Sequence, residues 1–299
     1  MQGSRHEVVF GRERVTEQEV AVKLELISGT LHVEREALRW LTDHHGPVPR
    51  LCTASATTLA DGRRVACLVT ERVRGRRPVG DDGWRQLGSA LAKLSAIPWA
   101  GSALSVRDAA TFGREHAERV AALGLRLAPA AARVPDWQSL IGPRVPDPAP
   151  LVLTHGDPGP GNFIHHDRHG SLIDWEEAQV APRGLDIARA MFLAFLRPED
   201  PAPERCRARA RCAARGYLAD LDEPWVPSVN DLRWWLTVAG IQFAFRRWER
   251  EGQDRVRPAA EAVDVLAEML ADDPGWLSLS PEGERALERT LTVSPNARR

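Results

Sequence analysis

Lysine is almost missing from this 299-residue chain: only Lys23 and Lys93 occur, and the other 38 of its 40 basic residues are arginine. A lysine retained in such a background marks a place where a compact ammonium suits the chemistry better than a guanidinium fork. Asparagine is equally scarce, at Asn162, Asn230 and Asn296. The four cysteines, Cys52, Cys67, Cys206 and Cys212, are too few for a disulfide framework in a chain of this length, and none is spaced as a CxxC zinc pair. Neither sign of charge dominates, with 40 basic against 41 acidic residues and a pI near 6.8. That balance argues against a protein held to nucleic acid or to an anionic membrane by bulk charge. The most apolar long segment, Leu232 to Phe245, spans 14 residues and contains Arg233 and Gln242, short of the about 20 apolar residues of a membrane span. The opening MQGSRHEVVF has no apolar stretch that would act as a signal peptide. A cytoplasmic protein is expected, with neither nucleic acid nor membrane as partner.

The remaining composition, 43% hydrophobic and 27% charged, is that of a folded globular chain. Its length accommodates one large or two modest domains. His6 to Gly11 and Glu19 to Leu24 read as strands from their alternation and β-branched residues. Val33 to His44 reads as a helix with Val33, Ala37, Leu38 and Leu41 on one side, closed by Pro47 and Pro49. Val65 to Val73 is another strand. Residues 76–83 read as a linker, and Trp84 to Ile97 and 107–124 as helices. A proline-rich loop covers 143–150, and from Ile187 onward the pattern is helical. No internal repeat is visible. The order is a small β-rich lobe, over 1–74, followed by a larger helical lobe with a strand pair inserted, over 75–299, which is an α+β pattern.

The most informative segment is 151–175, LVLTHGDPGPGNFIHHDRHGSLIDW. It reads as a strand, an irregular loop and a hairpin turning at Asp167 to Gly170. If His166 pairs with Ser171, Asn162 lies across from Asp174 or Trp175, and cross-strand Cβ atoms are about 5 Å apart. Asp157 precedes Asn162 by five residues, so three oxygen-bearing side chains converge. An amide carbonyl and a carboxylate are hard ligands suited to Mg²⁺, and Asp157 is placed to accept a proton. Kinases use this division of labour. His155 reads as a residue that orients the loop, Asp186 as an anchor for the following helix, and Glu176 and Glu177 as solvent-facing acids.

The run HGDPGPGN followed by IDW resembles the motifs of the aminoglycoside phosphotransferase family, relatives of choline kinases and protein kinases. The upstream VAVK, VEREALRWL and PVPRL are similar to the small lobe of that family. The resemblance implies a protein-kinase-like α+β fold with a small β-rich N-lobe and a larger, mostly helical C-lobe. It implies that Asp157 accepts the proton of the substrate hydroxyl, that Asn162 and Asp174 bind Mg²⁺, and that Lys23 contacts the nucleotide phosphates. It assigns Glu36 as the partner of Lys23, although the helical pattern puts Glu34 nearer the buried side. Glu71, Arg72 and Val73 match the hinge strand that meets the nucleotide base, and Gly3 to His6, with Ser4 and Arg5, fall where a phosphate-covering loop lies. The implied activity is transfer of the γ-phosphoryl of ATP or GTP to a hydroxylated small molecule, an antibiotic first. The alternatives are a housekeeping choline- or homoserine-kinase-like enzyme and a non-catalytic pseudokinase.

Overall fold

A computed structural model describes residues 7–25, 30–58, 60, 62, 64–78, 80–127, 149–166, 169–196, 203–222, 227–251 and 256–271. Ser4 and Arg5, most of the proline-rich loop at 143–150, and the hairpin residues Asp167 and Arg168 lie outside the described residues.

The chain begins with four antiparallel strands, β1 (Glu7–Arg12), β2 (Glu19–Glu25), β3 (Leu51–Thr58) and β4 (Arg64–Glu71), in the spatial order β1-β2-β4-β3. Val20 and Val22 in β2 and Val65, Leu68 and Val69 in β4 supply the branched and apolar residues that suit a pleated surface. Between β2 and β3 runs α1 (Thr30–Asp43), which buries Leu31, Glu34, Ala37, Leu38 and Leu41 along one face. These positions follow helical spacing, and the helix packs on β3 and β4. The edge strand β3 was not expected from the sequence. Its residues, LCTASATT, are small or polar, and most are exposed, so no apolar alternation marks it.

The larger part is helical. Helix α2 (Asp81–Ala96) crosses α5 (Pro203–Ala219) at very short range. A Cβ on Gly88 would fall 1.9 Å from the Ala213 carbonyl oxygen, and one on Gly216 would fall 1.9 Å from that of Arg85. The two glycines thus let the helix backbones touch reciprocally. Helices α3 (Ala109–Leu127), α6 (Val229–Glu251) and α7 (Val256–Ala271) complete the core around α4 (Leu185–Phe195). Every residue of α4 from Leu185 to Phe192 is buried.

Two strand pairs are set into this helical part. β5 (Leu151–Thr154) pairs antiparallel with β8 (Gln179–Pro182), a strand the sequence reading missed because its QVAP is short and ends in proline. β6 (Phe163–His166) and β7 (His169–Leu172) form the expected hairpin in a different register. His166 pairs with His169, not Ser171, and Phe163 with Leu172. The cause is local packing: the buried Phe163 ring covers Gly170, where a Cβ would come within 2.0 Å of it. Asn162 consequently faces Ile173, whose N–H donates to the Asn162 carbonyl at 2.9 Å. Asp174 follows with φ +68°, a left-handed conformation that aspartate tolerates better than most side chains.

Candidate active site

The loop after β5 is held from beneath by two buried groups. His155 is fully buried. Its Nε2–H donates to the Ile173 carbonyl at 2.9 Å, while Nδ1 accepts the Asp157 N–H at 3.2 Å. These roles require the neutral tautomer, and burial lowers its pKa accordingly. The Trp175 ring lies 4.5 Å from the imidazole. Asp186, at the start of α4, accepts the backbone N–H of His155 at 2.6 Å and of Gly156 at 3.0 Å. Asp186 therefore anchors the loop, in place of the expected anchoring of its own helix. Burial raises its pKa to about 6 against the opposing pull of those two donors. Gly156, at φ +79°, passes so close to Glu177 that a Cβ would lie 2.1 Å from the Glu177 carbonyl oxygen.

From this base Asp157 rises into a cleft of about 1050 Å³ between the sheet and the helices. Its Oδ1 lies 2.7 Å from Nη2 of Arg189 on α4. The Asn162 side chain donates to the Asp157 carbonyl at 3.0 Å and to Oδ2 at 3.3 Å. Across the cleft, Lys23 Nζ is 2.6 Å from both Glu34 Oε2 and Asp174 Oδ1. Burial acts to lower the lysine pKa, but the two carboxylates outweigh it and hold the ammonium above its ordinary value. Burial raises the Glu34 pKa, with the Lys23 charge opposing.

The partner of Lys23 is therefore Glu34, and the expectation of Glu36 is overturned. Residues two apart on a helix point about 200° apart. Glu36 is engaged by Arg35 at 2.8 Å and Arg39 at 3.5 Å instead. Lys23, Asp157, Asn162 and Asp174 line one cleft, and Glu71, Arg72 and Val73 line it as well. Of the two acids expected to face solvent, Glu176 lines the cleft, and Glu177 pairs with Arg246 at 2.8 Å. Sequence reasoning missed Arg189. Its signal was an arginine inside the apolar run LDIARAMFLAF, where charge is rare unless paired.

The donor set suits a hard divalent cation. Because Asn162 spends its amide nitrogen on Asp157, its Oδ1 is turned the other way and has no hydrogen-bond partner among the described residues. Asp174 commits Oδ1 to Lys23, and its Oδ2 is likewise without one. Two such oxygens on one cleft wall match the sparse protein ligation of magnesium, which keeps waters and takes phosphate oxygens.

A small antiparallel sheet over a larger helical part, with this cleft between them, defines a kinase-like protein. The model of the family described as "Phosphotransferase enzyme family" matches residues 12–222, and the chain belongs to that family. It is an enzyme, a phosphotransferase with an alcohol group as acceptor. The solved macrolide 2'-phosphotransferase from Brachybacterium faecium is similar at 20% identity and TM-score 0.61, over 88% of this chain and 89% of that one. An amicoumacin kinase solved with AMP-PNP, Ca²⁺ and Ami gives 13% identity and TM-score 0.62, over 93% and 91%. A choline/ethanolamine kinase family protein from Mesorhizobium loti gives 14% and 0.58, over 96% and 90%. These likenesses show the shared fold. No curated protein matches the chain. Among the described residues no helix is long and apolar enough to cross a membrane.

Proposed function

We propose that this enzyme transfers the γ-phosphoryl group of ATP or GTP to a hydroxyl of a small molecule, an antibiotic first, in the cytoplasm. The observation that carries the reading is the convergence of Lys23, Asp157, Asn162 and Asp174 on one cleft from strands and loops far apart in sequence. In this reading residues 1–74 form the nucleotide-binding lobe and 75–299 carry the catalytic loop and the acceptor site. Glu71, Arg72 and Val73 meet the base, and Ser4 and Arg5 belong to the phosphate cover.

Lys23, held protonated by two carboxylates, places a fixed positive charge beside the phosphates, where it acts without solvent reorganisation. Asp157 orients the acceptor hydroxyl and accepts its proton as the oxygen attacks. His155 and Asp186 keep that carboxylate at a fixed height by holding the loop backbone. Asn162 and Asp174 would hold Mg²⁺, which supplies charge neutralisation on the phosphates. The amicoumacin kinase complex with AMP-PNP and Ca²⁺ supports a nucleotide triphosphate with a divalent ion.

The test is a panel of hydroxylated macrolides, aminoglycosides, choline and homoserine with labelled ATP and GTP, with and without Mg²⁺. Label should move to one acceptor class only with the metal present, and Asp157→Asn should cut kcat by about 10²- to 10⁴-fold without unfolding the chain. Turnover of choline or homoserine alone establishes the housekeeping alternative. A folded enzyme with no transfer to any acceptor, or an undiminished Asp157→Asn variant, removes the proposal.

A further inference from the structure

Arg189 is one of the most deeply buried charged side chains described, with only 3% of its side chain exposed, yet its partner is the half-exposed Asp157 at the floor of the cleft. No other ion pair of Arg189 occurs among the described residues, and its Nε has no hydrogen-bond partner there. A guanidinium taken out of water is costly unless a carboxylate meets it, so this contact is a strong constraint on where Asp157 points. The same turn of α4 supplies Asp186, three residues earlier and on the same side of the helix. Asp186 takes the backbone N–H groups of His155 and Gly156, and Arg189 takes the side chain of the next residue. The Asp-x-x-Arg pair thus grips both backbone and side chain of one loop from one rigid, buried helix.

We infer that Arg189 is a positioning residue for phosphoryl transfer: it ties Asp157 Oδ1 back to α4 so that Oδ2 is the edge presented to the acceptor hydroxyl. The inference rests on the proposed role of Asp157. Arg189 lies behind the carboxylate and does not line the cleft, so it acts through Asp157 and not on either substrate. Removing it takes away the 2.7 Å contact on Oδ1 and leaves the longer 3.3 Å contact of Asn162 on Oδ2, so the carboxylate shifts, and small misplacements of a reacting group cost about 10²-fold.

The experiment is a double-mutant cycle of Arg189→Met and Arg189→Lys against Asp157→Asn, read as kcat, acceptor KM, nucleotide Kd and melting temperature. Arg189→Met should lower kcat by about 10²-fold with KM and Kd within about twofold. Arg189→Lys, which keeps the charge but not the fork, should fall between it and the parent. In the Asp157→Asn background neither Arg189 substitution should lower kcat further, because the group it positions is already lost. Full additivity in either arm, or a loss carried by KM or Kd with kcat intact, overturns the inference. If Arg189→Met does not fold, the Lys arm decides by the same criterion. An Asp157→Asn enzyme as active as the parent would instead remove the function proposed above, a result distinct from additivity.

Discussion

Lys23 Nζ and Asp174 Oδ1 stand 2.6 Å apart, joining a strand of the sheet to a residue 151 positions later in the helical part. The ammonium occupies a slot between that carboxylate and Glu34, with only 14% of its side chain exposed. A slot fitted to a point charge does not fit a planar fork. Lys23→Met should lower kcat/KM for nucleotide by about 10²-fold or more, and Lys23→Arg should also be impaired despite its charge. Steady-state kinetics with ATP and GTP measure both, and an arginine variant equal to the parent would contradict the fit described.

Glu34 and Glu36 offer a direct contrast on one helix. Glu34→Gln weakens the support of Lys23 and should lower kcat by about 10- to 100-fold. Glu36→Gln disturbs contacts with the exposed Arg35 and Arg39 and none with Lys23, and should leave kcat within about twofold of the parent. The reverse ranking in the same assay would show that the helix presents its other face to the lysine.

Asp186 makes stability depend on pH. Its pKa is 3.8 in the ordinary state and about 6 when folded, so between those values the folded chain holds a proton that the unfolded chain has lost. Stability from this group is therefore greatest below about pH 4, declines as pH rises to about 6, and is level above that, by about 3 kcal/mol at most. In Asp186→Asn this slope should vanish. Urea unfolding from pH 4 to pH 7 should show the variant-minus-parent difference rising to about pH 6 and then flat. A constant difference across that range would rule the shift out.

Gly88 and Gly216 set the distance between α2 and α5. On a free helix surface glycine to alanine stabilises by about 1 kcal/mol. Here the new methyl meets a carbonyl oxygen of the facing helix, and overpacking of this kind costs about 1–3 kcal/mol. Gly88→Ala and Gly216→Ala should each lower the melting temperature. A rise in either would mean that the helices are further apart than described.

Much of the candidate site was legible in order along the chain. HGDPGPGN and IDW lie within 21 residues of one another, and short-range motifs carry their geometry in turns and a hairpin. The isolation of Lys23 was legible from composition alone. The hairpin register was not, because it depends on the Phe163 ring finding the bare backbone of Gly170. β3 and β8 were not, because each is a strand only by virtue of its partner, β4 or β5.

By itself the sequence determined the two-part α+β order, the loop and hairpin that carry Asp157, Asn162 and Asp174, and the strand that carries Lys23. The helical pattern already leaned to Glu34 where the family resemblance assigned Glu36; the tertiary structure decided that Glu34 meets Lys23, and that Arg189 stands behind Asp157. Both choices turn on which face of a helix is buried and on what lies opposite it. The buried face of a helix shows in its apolar pattern, but what lies opposite that face, and which charge is desolvated there, is settled by packing between elements distant in sequence.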